Sequence, residues 1–347
     1  MTNMTNMVND GFMLPAEWAE QAMIEIAWPH ENTDWAYMLD DVDRCYVELA
    51  REISKRQKLL IVTPERDRVS RLLSCEGVDC SSIFFLDTPT NDTWTRDYGF
   101  LSLVNDKGGK KVADFVFNGW GGKFDASLDN SVNAVMYEQF PEVGDMVSYD
   151  FVLEGGSVES DGRGSLLTTE CCLMAPHRNQ PMSRDEIEFF LSQKLGTPNV
   201  LWLEHGFLEG DDTDGHVDTL ARMCPGNVIA YVKCTDETDA LYEGLRLMEE
   251  DLKAMRNIDG EPFILKALPM AEAVYDENDE RLPATYANFL IMNDAVLYPT
   301  YAHVGNDRRA AAVLAEIFPG MEIVGVDCRA LIRQHGSLHC ATMQFPL

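Results

Sequence analysis

The stretch that decides the fold begins with Leu59-Leu60-Ile61-Val62-Thr63, because a short run of apolar, β-prone residues is typical of a buried strand. A short helical pattern at residues 69–74 follows it, and then a second apolar run, Ile83-Phe84-Phe85-Leu86. Residues 59–86 therefore predict a strand, a helix and a second strand.

The same alternation continues on both sides of this stretch. Upstream, apolar residues at helical spacing predict an amphipathic helix at residues 35–55, and residues 17–30 form an aromatic-rich opening with no strand assigned. Ser183 and Glu186 form a capping box that predicts a helix ending near Lys194. Further strands are predicted at residues 100–104, 112–117, 146–153, 165–169, 200–203, 219–223, 228–232, 263–268, 289–292, 295–298 and 322–326, and further helices at residues 127–139, 237–256 and 307–318. No linker or low-complexity stretch interrupts the series, so one catalytic domain comprising residues 1–347 is expected.

Composition limits the class of protein. The 347 residues are 46% hydrophobic, which is enough to bury the core of an enzyme. Residues 1–7 are polar and lack an export signal, and no run of about 18 apolar residues predicts a membrane span. The nine cysteines lack regular spacing, and Cys171-Cys172 cannot form an ordinary disulfide or a CxxC metal site, so reduced thiols in a cytoplasm are expected.

The net charge of −30, from 58 acidic against 28 basic residues, argues against a nucleic-acid partner. It favours a cationic ligand instead. The alternative is that the acidic surface serves solubility alone.

Polar residues recur at fairly even intervals near the ends of the predicted strand pairs: Asp97, Glu154, His216 with Asp218, Asn288, and Cys340. Functional side chains often lie on loops held by a rigid scaffold. Five mixed modules whose loops converge at one end would bring all these residues to a single centre.

Residues 334–344, QHGSLHCATMQ, resemble a nucleophile loop, because a glycine-hinged turn can present the Cys340 thiol in a cleft. A lone cysteine is also compatible with an inert, buried role.

The other polar stretches each have an ordinary structural alternative. Asp97 could pair with its neighbour Arg96, Trp94 and Trp120 could be core residues, and Glu154 could serve a turn. The pair formed by His216 and Asp218 also has more than one interpretation.

His216 and Asp218 are expected on an extended segment, where they would point to one face and suit either two metal ligands or a base beside a carboxylate. A metal site is not favoured, because no third or fourth ligand appears at the usual spacing.

Taken together, these residues match the hydrolysis of a guanidinium group. That group is planar and cationic, so carboxylates can clamp its N–H donors while a strong nucleophile attacks its carbon. Asp97 and Asp218 suit the clamp and Cys340 suits the attack. His216 would protonate the departing ammonia and then activate water, and the bound cation together with His216 could lower the thiol pKa.

Five ordered motifs carry a resemblance to a known family: WTRD at residues 94–97, FNGWGGK at 117–123, LEGGS at 153–157, DTDGHVD at 212–218 and GSLHCATMQ at 336–344. Together they resemble the agmatine deiminase and bacterial peptidylarginine deiminase family. The resemblance implies the guanidine-modifying α/β propeller (pentein) fold, with five ββαβ-type modules around a pseudo-fivefold axis and no metal or other cofactor.

The resemblance also implies roles and a reaction. Cys340 would be the nucleophile, His216 the general acid and base, and Asp97 and Asp218 the guanidinium ligands. Agmatine and water would give N-carbamoylputrescine and ammonia. The residues expected to line the substrate pocket are Trp94, Trp120, Glu154, Asp212 and Asn288.

Other functions stay open at this point. Deimination of free or peptidyl arginine would need a cation to receive an α-carboxylate, and none can be assigned from the sequence. The same Cys/His/Asp site could transfer an amidino group to an amine, or the protein could bind polyamines without turnover. The expected partner is a small cationic guanidino compound, with no nucleic acid and no membrane, and a homo-oligomer is left open.

Overall fold

A computed structural model describes residues 11–347, so the predicted character of residues 1–7 lies outside the described residues. The strands are β1 Gln21–Ala27, β2 Lys58–Val62, β3 Ile83–Leu86, β4 Leu101–Val104, β5 Lys110–Val116, β6 Asp145–Val152, β7 Val158–Ser160, β8 Ser165–Thr169, β9 Asn199–Leu203, β10 Ala221–Cys224, β11 Val228–Lys233, β12 Ile264–Pro269, β13 Val274–Tyr275, β14 Arg281–Leu282, β15 Leu290–Ile291, β16 Ala295–Thr300, β17 Glu322–Asp327 and β18 Met343–Pro346. The helices are α1 Leu39–Ser54, α2 Arg66–Cys75, α3 Thr95–Tyr98, α4 Gly119–Gly122, α5 Asp129–Gln139, α6 Glu170–Leu173, α7 Arg184–Leu195, α8 Tyr242–Ala254 and α9 Val304–Ile317. Short 3₁₀ turns occur at Ala36–Met38, Cys80–Ser82, Pro141–Val143, Gly155–Ser157, Val217–Thr219 and Leu331–Gln334.

Five sheets repeat one pairing pattern, in which an antiparallel pair is followed by a parallel neighbour. Four of them have the strand orders β4-β5-β6, β7-β8-β9, β10-β11-β12 and β15-β16-β17. In each sheet the chain crosses to the parallel strand through a helix, as parallel pairing requires. The predicted α/β fold of five ββαβ-type modules is confirmed.

The fifth sheet joins the two ends of the described chain. Its order is β18-β1-β2-β3, with β18 antiparallel to β1, so that Ile24 lies opposite Gln344 and Glu25 opposite Met343. The assignment of residues 17–30 as an opening without a strand was therefore wrong, and residues 334–344 end in a strand. A four-residue strand whose partner lies at the other end of the chain carries little local signal of its own.

Most predicted elements agree with the structure to within a few residues. The capping box is confirmed, since the Ser183 side chain accepts from the Glu186 N–H and the Glu186 side chain accepts from the Ser183 N–H. The predicted helix at residues 237–256 begins later, at Tyr242, because the Asp236 side chain accepts from the Thr238 N–H and hydroxyl and holds a local turn. Strands β7, β13 and β14 were missed, since two or three residues show no periodicity.

Apolar burial holds the modules rigid and supports the loops between them. In the first module Trp28, Trp35 and Tyr46 are fully buried, and the Trp28 and Tyr46 rings meet edge to face with centroids 5.4 Å apart. All nine cysteines are free thiols. Among the described residues, no helix is long and apolar enough to cross a bilayer.

Candidate active site

The loops that connect successive modules meet at one place, as predicted. Asp97 follows β3, His216 and Asp218 follow β9, Asn288 follows β12, and Cys340 follows β17. The Nδ1 atom of His216 lies 3.5 Å from Oδ1 of Asp97, and Nδ2 of Asn288 lies 3.2 Å from Oδ2 of Asp218. The Cys340 Sγ atom lies 3.4 Å from Oδ1 of Asn288 and 3.8 Å from Oδ2 of Asp218.

The nucleophile loop is held by packing and hydrogen bonds. A Cβ atom on Gly336 would lie 2.4 Å from the ring of Trp94, so glycine is required here for close approach. The backbone N–H groups of His339 and Cys340 both donate to Oδ1 of Asn288, at 2.8 and 3.3 Å. The expectation of a flexible hinge was therefore wrong, and the Cys340 thiol is held in place with 6% of the residue exposed.

A second loop is bonded to the nucleophile loop through Arg96. The Arg96 N–H donates to the Cys340 carbonyl at 3.2 Å, and its Nε donates to the His339 carbonyl at 3.4 Å. Within the described residues, Arg96 thus contacts the nucleophile loop and forms no ion pair with Asp97, whose Oδ1 atom lies 3.5 Å from the imidazole Nδ1 of His216. This arrangement sets the distance between Asp97 and Cys340.

His216 and Asp218 reach the site from a 3₁₀ turn. Val217–Thr219 is helical and His216 is its N-cap, so the extended segment expected from the sequence was wrong. The two side chains nevertheless converge, because Gly156 lies against them both. A Cβ atom on Gly156 would be 2.6 Å from Nδ1 of His216, 2.8 Å from Oδ1 of Asp97 and 3.2 Å from Oδ2 of Asp218.

Asp97 is held by two donors in a dry environment. The indole Nε1–H of Trp120 donates to its Oδ2 at 2.8 Å, and the N–H of Gly156 donates to its Oδ1 at 3.0 Å. Burial, reinforced by the negative charge of Asp218, raises the pKa of Asp97 well above its usual value. A cation bound between the two carboxyl groups would favour their charged forms.

The other three of the four groups expected to do the chemistry, His216, Asp218 and Cys340, are fully or nearly buried, and their surroundings shift their pKa values in different directions. Burial lowers the pKa of His216 to about 3, so its imidazole is neutral, and neither ring nitrogen has a hydrogen-bond partner within the described residues. Burial raises the pKa of Asp218, but the hydrogen bond and charge of His339 outweigh it and hold this pKa below its usual value. Burial, with the charges of Asp218 and Asp97, raises the pKa of the Cys340 thiol well above its usual value. In the unliganded site the expected lowering by His216 is therefore absent.

A cavity opens beside these groups, and its lining is rich in carboxyl groups. Its carboxyl groups belong to Asp34, Asp92, Asp97, Asp211 and Asp212. Its aromatic rings are Trp94, Trp120 and Phe124, and Cys340 also faces it. Among the described residues that line this cavity, none is a lysine or an arginine.

Two residues expected in the lining lie behind it instead. Glu154 is fully buried, and Nε of Arg178 bonds both of its carboxylate oxygens, at 2.9 and 3.3 Å. Asn288 is also fully buried and holds the nucleophile loop to Asp218. The structure places Trp94, Trp120 and Asp212 at the cavity itself, whereas Glu154 and Asn288 support it from below.

Sequence reasoning missed several residues of the site. Asp34 and Asp92 line the cavity, Gly156 lies against the side chains of the candidate site, and Arg178 pairs with Glu154. His339 could have been noticed, since it directly precedes Cys340.

Two buried groups of side chains are close enough to hold a metal ion within the described residues: Glu154, Cys172 and His216 in one, and Glu17, Glu159 and His339 in the other. In each, an arginine already binds the carboxylates, because Arg178 bonds Glu154 and Arg222 lies 2.5 Å from Glu17 and from Glu159. Protein guanidinium groups thus supply the positive charge that a metal ion would bring.

The fold and the site together define an α/β protein of five repeated modules, with a buried cysteine, a histidine and paired aspartates at their centre. The sequence pattern of the Porphyromonas-type peptidyl-arginine deiminase family matches residues 13–346. The chain belongs to this family.

Similar proteins with solved structures cover nearly all of the chain. A Porphyromonas gingivalis structure, provisionally described as an arginine deiminase, is 47% identical, covers 96% of this chain and 98% of its own, and superposes with a TM-score of 0.89. A C. jejuni agmatine deiminase, a cysteine-to-serine variant with substrate bound, is 37% identical over 96% of each chain, with a TM-score of 0.89. A Legionella pneumophila relative, provisionally named agmatine deiminase, is 33% identical over 97% of this chain and 95% of its own.

Proposed function

We propose that this protein is an agmatine deiminase, which hydrolyses agmatine to N-carbamoylputrescine and ammonia through a covalent intermediate on Cys340. One observation carries the proposal: a thiol and two buried carboxyl groups, Asp97 and Asp218, meet beside a cavity lined by carboxylates and aromatic rings. A planar cation with several N–H donors suits such a site. Membership of the family and the agmatine deiminase relatives support the same reaction.

The first half of the reaction forms the thiouronium. Asp97 and Asp218 accept hydrogen bonds from the guanidinium, and its positive charge favours loss of the Cys340 proton to the neutral imidazole of His216. The thiolate attacks the guanidinium carbon and forms a C–S bond. His216 returns the proton to one nitrogen, the C–N bond breaks, and ammonia leaves.

The second half resolves the intermediate. His216, neutral again, takes a proton from a water molecule as that water attacks the same carbon. The C–S bond breaks and the thiolate of Cys340 is released; the hydroxyl group loses its proton to solvent as the carbonyl of the carbamoyl product forms, and His216 returns its proton to the thiolate, so that both groups regain their starting state. Every step uses side chains already held within the site, so these side chains need little rearrangement during the reaction.

The charge of the cavity favours agmatine over arginine. Agmatine carries a second cation at its far end, which the carboxylates of Asp34, Asp92 and Asp212 would attract. The α-carboxylate of arginine would meet the same carboxylates without a lining lysine or arginine to receive it. Lys123, on the α4 turn, is instead paired with Asp214 at 2.8 Å.

The deciding experiment measures ammonia and ureido product with agmatine, free arginine and a short arginyl peptide, for the parent protein, Cys340→Ala and Cys45→Ala. Cys45 is a matched control, because it is also buried but belongs to α1. We expect turnover of agmatine alone, lost in Cys340→Ala and kept in Cys45→Ala. Turnover of arginine would overturn the substrate assignment, and activity in Cys340→Ala would overturn the mechanism.

Amidino transfer is tested in the same assay by adding an amine acceptor. Transfer would give a new guanidino compound and little free ammonia, whereas hydrolysis gives one ammonia per substrate.

The proposal also includes one catalytic domain spanning the whole chain. The cytoplasmic location and a homo-oligomeric state stay predictions.

A further inference from the structure

A buried cluster of charged side chains lies directly beneath the nucleophile loop. It comprises Glu17, Glu159, Arg222 and His339, each at most 8% exposed. Arg222 lies 2.5 Å from both glutamates, with Nη2 facing Glu17 and Nε facing Glu159. The proposed chemistry uses none of these four residues, yet His339 directly precedes Cys340.

His339 bridges this cluster to the site. Its Nε2 lies 2.8 Å from Oε2 of Glu17, and its Nδ1 lies 2.8 Å from Oδ2 of Asp218. A carboxylate can only accept, so Nδ1 carries the hydrogen and donates to Asp218. Glu17 is an ionised acceptor, so Nε2 also carries a hydrogen and donates to it; Nη2 of Arg222, 3.0 Å from Nε2, is a donor too and therefore holds this side of the ring only through its ion pair with Glu17.

Asp218 is consequently held through one of its two oxygens. Oδ2 takes the hydrogen bonds of His339 and Asn288 and lies 3.8 Å from the Cys340 Sγ atom, while Oδ1 has no partner within the described residues although it is buried. A buried oxygen without a partner is costly unless a ligand supplies a donor. Oδ1 is therefore the oxygen available to a guanidinium N–H.

We propose that His339 is a positioning residue that fixes the carboxylate of Asp218 through Oδ2, so that Oδ1 is left free to accept from the substrate. This inference rests on the proposed role of Asp218 as a guanidinium ligand. The same residue holds the nucleophile, since its backbone N–H donates to Asn288, which also contacts the Cys340 thiol. The clamp and the attacking sulfur are thus held by one residue and its immediate partner.

Glu17 and Arg222, on the far side of His339 from Asp218, are themselves hydrogen-bonded to the backbone. Oε1 of Glu17 accepts from the N–H of Ile291 at 2.7 Å, and Nη1 of Arg222 donates to the carbonyl of Ala287 at 3.1 Å. Burial alone would raise the pKa of Glu17, but Arg222 and His339 hold it below its usual value, so Glu17 stays ionised. An ionised anchor holds the His339 ring by a charge-assisted hydrogen bond.

The test replaces the two ring nitrogens one at a time. An asparagine amide can occupy the place of Nδ1, and a glutamine amide can occupy the place of Nε2. His339→Asn therefore keeps the donor to Asp218, whereas His339→Gln keeps only the contact with Glu17. We expect kcat/KM for agmatine to fall about 100-fold in His339→Gln and no more than about fivefold in His339→Asn.

A pH profile separates positioning from a merely structural role. The titratable and charged groups that face Asp218 are Asp97, His216, Arg222, His339 and Cys340. Among the contacts that lower its pKa, the hydrogen bond from His339 is the largest. Without the Nδ1 donor, the carboxylate should protonate at a higher pH, so the acidic limb of the kcat/KM profile should move upward in His339→Gln and stay in place in His339→Asn. Equal losses in the two variants, with unmoved acidic limbs, would overturn the proposal.

Binding provides a readout that does not depend on turnover. In Cys340→Ala, added His339→Gln should weaken agmatine binding about tenfold or more, measured by calorimetry, while added His339→Asn should not. If the parent protein fails to turn over agmatine but this binding difference is found, the proposed reaction is wrong and the positioning role stands. If turnover is found and binding and kcat/KM are insensitive to both substitutions, the reaction stands and the positioning role is wrong.

Glu17→Gln is the second variant, used with circular dichroism to establish folding. It removes the ionised anchor but leaves the contact between His339 and Asp218 available. We expect a folded protein whose kcat/KM falls about tenfold, which is more than in His339→Asn and less than in His339→Gln. A fully active, folded Glu17→Gln protein would contradict the anchoring step.

Discussion

Replacing Gly156 with alanine should disable the site while leaving the fold intact. The new Cβ atom would lie 2.6 Å from Nδ1 of His216 and 2.8 Å from Oδ1 of Asp97, against an ordinary contact limit of 3.4 Å. Nδ1 of His216 and Oδ1 of Asp97 must therefore move away from the new Cβ atom by about 0.8 and 0.6 Å. Displacements approaching 1 Å cost roughly 100-fold in rate. We expect kcat/KM for agmatine to fall about 100-fold, which corresponds to about 2.7 kcal/mol.

The assay is continuous ammonia release, with thermal unfolding followed by circular dichroism on the same samples. Gly305→Ala, near the start of α9, is the matched control, because the nearest atom to its Cβ would be a mobile guanidinium nitrogen of Arg309 at 3.7 Å. Alanine there should leave activity unchanged and stabilise the helix by about 0.5–1 kcal/mol. A folded Gly156→Ala protein that keeps kcat/KM within about threefold would refute the reasoning that close packing of the three side chains sets catalysis.

Three further predictions concern charge. Burial raises the pKa of Glu25 to about 7, and within residues 11–347 the Thr95 hydroxyl is its one hydrogen-bond donor. This carboxyl therefore stabilises the fold at low pH, and that stability is lost as the pH rises from the usual pKa of 4.5 through 7. The unfolding free energy of Glu25→Gln, measured by urea titration, should therefore rise relative to that of the parent by about 2.5 kcal/mol between about pH 5 and pH 8. A difference between the two proteins that does not change with pH would contradict this. Trp120→Phe keeps an aromatic ring but loses the N–H donor to Asp97, so kcat/KM should fall about tenfold, and an unchanged value would show that the indole serves packing alone. Because burial and Asp218 raise the pKa of Asp97, agmatine binding to Cys340→Ala near neutral pH should release protons; calorimetric heats that do not vary with buffer would exclude this.

The fold was largely predictable because its signal is local. Apolar runs such as residues 59–63 and 83–86 predict strands from their own residues. The capping box at Ser183 likewise predicts the start of a helix from neighbouring residues alone. The exceptions were the two- or three-residue strands β7, β13 and β14, which show no periodicity, and the two strands that join the ends of the described chain. β18 is four residues long and pairs with β1 at the other end of the chain, so its own residues carry little local signal.

The side chains proposed to be catalytic were likewise predictable by chemical type, whereas the residues that support them were not. Cys340, His216, Asp97 and Asp218 were identified from residues suited to a guanidinium, and the structure brings all four together. Arg178 carries no local mark of its pairing with Glu154, a residue 24 positions away.

The sequence by itself determined the alternation of strands and helices, the negative charge and the chemistry of the reactive groups, because periodicity, charge and functional groups are properties of the chain. Only the tertiary structure decided how these groups are tuned. The raised pKa of Asp97 and the lowered pKa of Asp218 follow from burial and from neighbours on other loops. His339 could be seen beside Cys340 in the sequence, but its bridge between Asp218 and Glu17 spans 121 and 322 positions, and only folding brings those three residues within hydrogen-bond distance.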